Sequence, residues 1–381
     1  MPLLDVELSR DITRPMVAPM QRFSFIATGD NHFDEHRRAD ECMRIHDFIT
    51  NEARKREVDA LLGAGDLYER ASTARERQMA ASWLKSAAAN QTVVLAKGNH
   101  DRPLDCALFA DLRTEHPILV EEAAGIHYVG GAAILVVAWP NRASIAAMIG
   151  KPLSGSAIDA VAREHMRGVL CRFGEQLAQH PGPRILLMHA MADGALTSAG
   201  QPLIGSELNI PLEYIALAQA DIAILAHIHK PQEWICNGMP IVYVGSPYRT
   251  AYGEIEEKSV VYAEFQWQMI DGERHLTFEW KRIPTPARQM LLLECAFEMG
   301  AVDNFRDKSG GYIDAKRIAE THGAEVRFAY SYHPDERAAA KRAAALLQTR
   351  MLEAGAADVK PVPRSKSASV ARVAETGDDV A

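Results

Sequence analysis

Short apolar runs alternate with amphipathic stretches along the first half of the chain, and the runs end alike. Residues 23–28 (FSFIAT) read as a buried strand that delivers Asp30-Asn31-His32. Over roughly 38–56, Cys42, Ile45, Ile49 and Ala53 recur at helical spacing and predict an amphipathic helix. Residues 58–64 (VDALLGA) predict a short strand ending at Gly65-Asp66. A second helix is expected near 74–89, with Met79 and Trp83 inward. Residues 92–96 (TVVLA) predict a third strand, followed by Gly98-Asn99-His100-Asp101. This strand–loop–helix rhythm is α/β, and open α/β sheets carry their ligands at the carboxyl ends of strands.

The middle of the chain is richer in strands. A hairpin is expected within 126–139 around Gly130-Gly131, then a helix over roughly 156–179. Residues 184–188 (RILLM) lead to His189, and 221–226 lead to His227-Ile228-His229. Residues 241–244, 259–266 and 275–281 are expected to continue a second sheet. Two sheets with flanking helices predict a four-layer αββα sandwich.

Residues 283–286 (IPTP) read as a linker, after which the pattern changes. Strands are expected at 289–297 and 325–332, and a helix over 334–354 rich in Ala, Arg, Leu and Glu. The expected organisation is therefore an N-terminal extension (1–21), a main domain (22–283), a small C-terminal α/β domain (287–363) and a disordered tail (364–381).

Composition narrows the class. The chain has 381 residues with 48% hydrophobic content, enough for a substantial core. Its formal charge of −8 is a poor match to a free-standing nucleic-acid binder. Five widely spaced cysteines without a C-x-x-C pair read as reduced thiols of a cytoplasmic protein. No signal peptide or membrane-spanning apolar run is evident.

Taken singly, each polar block is ordinary turn chemistry. Together they place Asp, Asn and His side chains, which suit Mn, Mg, Fe or Zn, just past successive buried strands. Two divalent ions about 3.5–4 Å apart can activate a water and neutralise a phosphoryl group. Asp66 is the candidate bridging carboxylate. Asp30, His32 and His229 would complete one shell, and Asn99, His189 and His227 the other. His100 is left over, free to protonate a leaving oxygen or stabilise the transition state. Asp101 and Glu69 are the acids available to orient it, with Glu69 preferred because it follows Asp66 by one turn. Arg70 and Arg102 each follow a site block and could clamp phosphate.

These five blocks resemble the calcineurin-like metallophosphoesterase superfamily, whose motifs run D-x-H, G-D, G-N-H-D/E, H and G-H-x-H. Ala226 departs from the glycine usual before the last motif. His227-Ile228-His229-Lys230-Pro231-Gln232, Gly245-Ser246-Pro247, Gly253-Glu254 and Lys258 narrow the resemblance to SbcD-type nuclease subunits of DNA double-strand-break repair. The resemblance runs from about residue 23 to 265. It implies the αββα metallophosphoesterase sandwich, a following capping domain, two Mn ions, DNA as substrate and an SbcC-type coiled-coil ATPase as partner, with pairing of two nuclease subunits. His100 matches that family's catalytic histidine. The resulting expectation is a two-metal DNA exonuclease and endonuclease in repair or recombination. A phosphatase or small-molecule phosphodiesterase on the same scaffold is the alternative, supported by Gly65-Asp66-x-x-Glu69-Arg70 and Gly98-Asn99-His100-Asp101-Arg102. A non-catalytic scaffold is a third reading, opposed by the intact ligand set.

Overall fold

The computed structural model describes residues 18–142, 145, 147, 155–198, 208–301 and 303–365. The chain forms two compact units. The first takes in residues up to Thr250 and Glu256–Ala287; the second takes in Ala251–Ile255 and the residues from Arg288 onward.

The first unit contains two six-stranded sheets. One has the order β14-β13-β1-β2-β3-β4, with β1 at Gln21–Thr28, β2 at Ala60–Gly63, β3 at Thr92–Ala96, β4 at Ile118–Glu121, β13 at Ser259–Ile270 and β14 at Glu273–Pro284. The other has the order β11-β12-β10-β7-β6-β5. Its strands are β5 (Ala124–Val129), β6 (Ala132–Val137), β7 (Arg184–His189), β10 (Ile222–Ala226), β11 (Gln232–Cys236) and β12 (Met239–Tyr243). The short pair β8 (Met191–Ala192) and β9 (Asn209–Ile210) stands apart. In each sheet four successive strands run parallel: β1-β2-β3-β4 in one, β6-β7-β10-β12 in the other.

Three apolar clusters make this a four-layer αββα sandwich. Phe23, Phe25, Leu62, Val94, Ile134, Leu187, Ile224 and Val242 fill the space between the sheets. Ile26, Leu61 and Val93 face outward against α1 (Ala39–Lys55) and α2 (Ala74–Ala87). The opposite face of the second sheet packs on the helices Gly155–Leu177 and Leu212–Ala216. Both central sheets are covered on two sides, which explains why their strands read as continuous apolar runs. The capping box of Thr73 and Glu76 starts α2.

Two expectations about the first unit change. The segments expected to extend the second sheet, 259–266 and 275–281, form β13 and β14 and join the first sheet instead. Strand β13 pairs antiparallel with β1, from Gln21↔Trp267 to Ala27↔Val261. Val261, Ala263 and Phe265 then face the inter-sheet core while Val260 and Tyr262 face the α1 side. The segment read as a linker also differs: Ile283 and Pro284 end β14, and the Thr285 hydroxyl donates to the Pro247 carbonyl at 2.6 Å.

The second unit holds a four-stranded sheet, β16-β15-β17-β18, built from β15 (Met290–Phe297), β16 (Phe305–Asp307), β17 (Glu325–Tyr332) and β18 (Asp358–Ser365). The helices Ala315–Ala319 and Arg337–Glu353 cover one face through Ile318, Ala340, Ala344, Leu347 and Met351. Arg364 and Ser365, assigned above to the tail, lie in β18; the rest of that tail and residues 1–17 lie outside the described residues. Among the described residues, no helix is long and apolar enough to cross a membrane.

Candidate metal centre

The polar blocks follow the carboxyl ends of β1, β2, β3 and β10, and His189 is the last residue of β7. Parallel pairing sets these ends side by side: Thr28 pairs with Gly63, Gly63 with Leu95, and Ala226 with His189. The chain then turns sharply. Asp30, His32, Asp66 and His227 take positive φ values of 50°, 43°, 51° and 114°. Such backbone is costly for residues with a Cβ and gathers at functional sites.

Small residues allow the close approach. A Cβ on Gly98 would stand 2.1 Å from Asp66 Oδ1, and one on Gly29 would stand 2.4 Å from the Ala226 Cβ. The alanine before His227 is therefore accommodated by the glycine before Asp30.

Two ligand trios result: Asp30, His32 and His229, and Asp66, His189 and His227. Within each trio one donor atom from every residue lies within 4.8 Å of the others. Asn99 joins the second trio, its Oδ1 lying 2.9 Å from His189 Nε2 and 3.0 Å from His227 Nδ1. All seven proposed ligands are thus brought together.

Neighbouring groups aim these ligands. His189 Nδ1 donates to the Ala64 carbonyl at 2.8 Å, leaving Nε2 to face Asp66 Oδ2 at 3.4 Å. His229 Nδ1 meets the Thr250 hydroxyl at 3.1 Å. Asp30 accepts the His227 backbone N–H, and Asp66 Oδ1 accepts that of His100 at 2.9 Å. Contacts on the far side of a ligand fix its tautomer and direction.

The electrostatics are those of a cation site. Burial works to raise the Asp66 carboxyl, but His189, His32 and His100 hold it well below the usual carboxylate range. Burial disfavours the His189 imidazolium, yet Asp66 outweighs it and pushes the value up to about 9. Buried carboxylates and imidazoles that charge one another in this way suit divalent cations, which satisfy the same donors once protons leave.

The remaining predicted residues divide. His100 Nδ1 donates to the backbone carbonyl of Glu69 at 2.5 Å, and its Nε2 lies 4.0 Å from Asp66 Oδ2. Its side chain is 40% exposed, so the ring is open to a substrate. Neither expected acid orients it. The Glu69 carboxylate lies 3.0 Å from His32 Nδ1 instead, and this contact lowers its pKa against burial. Asp101 is buried, accepts backbone N–H groups of Gly98 and Tyr68 at 2.8 and 3.1 Å, and braces the loop. Arg70 is held by Asp34 through contacts of 3.2 and 3.3 Å, and Arg102 is exposed.

The profile of the calcineurin-like phosphoesterase family matches residues 23–231. The chain belongs to this family. It is accordingly a metal-dependent hydrolase of phosphoester bonds. No curated protein sequence matches this phosphoesterase at a significant level. Among solved structures it is similar to a dimetal phosphatase from Danio rerio, with 9% identity, a TM-score of 0.38, and coverage of 67% of this chain and 98% of that one. It is also similar to the phosphopantetheinyl hydrolase of Mycobacterium tuberculosis, with 16% identity, a TM-score of 0.35, and coverage of 59% and 90%. A predicted phosphoesterase from Streptococcus pneumoniae gives 14% identity, a TM-score of 0.29, and coverage of 68% and 100%.

Several residues outside the candidate ligand set support the phosphoesterase site. The Tyr248 hydroxyl donates to the His32 carbonyl at 2.7 Å. His46, fully buried on α1, reaches the Asn31 side chain at 3.0 Å, and Asn31 is also bonded to Thr28. Lys258, buried in the late motif, donates to the His229 carbonyl, Ser246 Oγ and Glu256 at 3.2, 2.9 and 2.8 Å. A lysine and a serine twelve positions apart gave no periodic signal; only the resemblance singled them out.

Proposed function

We propose that this phosphoesterase is a Mn-dependent DNA nuclease, exo- and endonucleolytic, acting in repair or recombination. The observation that carries the reading is the pair of ligand trios, one of them containing Asp66, with the exposed imidazole of His100 near that carboxylate. Asp30, His32 and His229 would hold one ion, Asn99, His189 and His227 the other, and Asp66 would serve both. When bound, the ions supply the charge that activates water and neutralises phosphate. His100 keeps its Nδ1 proton on the Glu69 carbonyl and presents Nε2 to the leaving oxygen, where a protonated ring donates.

DNA as the substrate is supported by the late motif. Gly245 stands at φ 75°, with a Cβ there only 2.8 Å from the His229 carbonyl, and Lys258 braces that same carbonyl. The stretch resembling SbcD-type nucleases thus supports a ligand. In this reading the protein works in the cytoplasm with an SbcC-type coiled-coil ATPase, which shares the grip on DNA and relieves the acidic subunit of it, and two nuclease subunits pair.

The purified full chain with Mn should degrade linear duplex DNA or nick single strands. Hydrolysis of phosphopeptides or cyclic nucleotides with DNA left intact would instead establish the phosphatase or small-molecule phosphodiesterase reading. The Arg70–Asp34 pair bears on that choice, because an arginine engaged by a carboxylate is a poor clamp for a phosphate monoester.

A further inference from the structure

Trp139 follows the end of β6, whose Val137 pairs with Met188, so it comes beside His189. Its indole packs on the His227 ring with 4.7 Å between centroids and 35° between planes. It meets His189 edge-on at 5.7 Å. Its backbone N–H donates at 2.9 Å to the Lys97 carbonyl, on the segment that carries Asn99. These three contacts all go to one half of the site. Among the described residues Trp139 belongs to none of the buried apolar clusters, and it is half-buried, so filling the core does not account for it.

His227 differs from the other imidazoles. His32, His189 and His229 turn Nε2 inward, whereas His227 turns Nδ1 toward Asn99 from a backbone at φ 114°. A donor atom next to the ring carbon that bears the side chain has little reach. Where its lone pair points is therefore set by the ring plane, and a flat aromatic wall fixes that plane.

We propose that Trp139 is a positioning residue for the ion held by Asn99, His189 and His227, its indole setting the plane of the His227 ring. The inference rests on the two-metal reading above.

The test titrates Mn into the metal-free full chain and follows calorimetry and tryptophan emission for wild type, Trp139→Phe and Trp139→Leu. Wild type should bind two ions and lose emission as they bind. Trp139→Leu should hold one ion as wild type does and the other at least about tenfold more weakly, the scale typical of outer-shell partners. Trp139→Phe, which keeps a flat ring, should restore the weakened ion while losing most of the emission response. Two unchanged affinities in Trp139→Leu overturn the inference. So does a parallel weakening of both ions, by unfolding or otherwise, since Trp139 would then support the fold at large. A wild-type chain that binds no Mn overturns the two-metal reading itself, a result distinct from either of these.

Discussion

His32 Nε2 stands 2.9 Å from His229 Nε2, although 197 residues separate the two in sequence. The far nitrogen of His32 faces the Glu69 carboxylate, and that of His229 faces the Thr250 hydroxyl. The outer nitrogens of both rings thus lie near polar side chains, and their Nε2 atoms meet each other. Glu69→Gln keeps the contact and removes the charge that makes His32 a stronger donor. It should lower affinity for one ion by about tenfold with the fold intact, measured by competition with a chelator. Unchanged affinity together with lost activity would return Glu69 to the role of His100's partner.

His100→Asn should reduce cleavage by about 10²–10⁴-fold, the usual weight of a general acid, while metal content stays at the wild-type level. The Asp66 carboxylate contacts the His100 backbone N–H, which the substitution retains. Metal loss on quantification would contradict the separation of His100 from the ligand set.

The Gly29–Ala226 contact predicts a compensating pair. Gly29→Ala would force two Cβ atoms to 2.4 Å and should cost about 1–3 kcal/mol in unfolding free energy. Adding Ala226→Gly should recover much of that loss, because the double variant carries one methyl at the contact as wild type does. A double-mutant cycle measures the coupling, and additive effects would contradict it.

His46 predicts a pH dependence of stability. Its complete burial lowers the pKa to about 4, against a backbone hydrogen bond to Cys42 that opposes the shift. The unfolded chain takes up this proton near pH 6.5 and the folded chain does not. The stabilisation is therefore full above pH 6.5 and is lost as the pH falls toward 4, by about 3 kcal/mol. Denaturant unfolding of wild type and His46→Gln checks it: their difference should shrink over that range. A constant difference would contradict the buried neutral imidazole.

Much of this was legible in the sequence, for identifiable reasons. Central parallel strands are buried on both faces, so β1, β2, β3, β7 and β10 stood out as apolar runs with polar residues at their ends. The partners of β13 and β14 were not legible, because a strand's own pattern does not say which edge it joins. Strand β18 was hidden by Pro361 and Pro363, which an edge strand tolerates. The grouping of the seven candidate ligands was readable because residue type and position agreed. The roles of Glu69 and Asp101 were not, since each is decided by side-chain direction. Glu69 turns its carboxylate to His32 and its backbone carbonyl to His100. Asp101 turns inward to backbone donors.

In the proposed site two divalent ions share Asp66. Crystals of the full chain grown with Mn, with data collected at the Mn absorption edge, test it directly. Two anomalous peaks are expected, one among Asp30, His32 and His229 and one among Asn99, His189 and His227, with Asp66 touching both. A single peak, or ions bound away from Asp66, would contradict it.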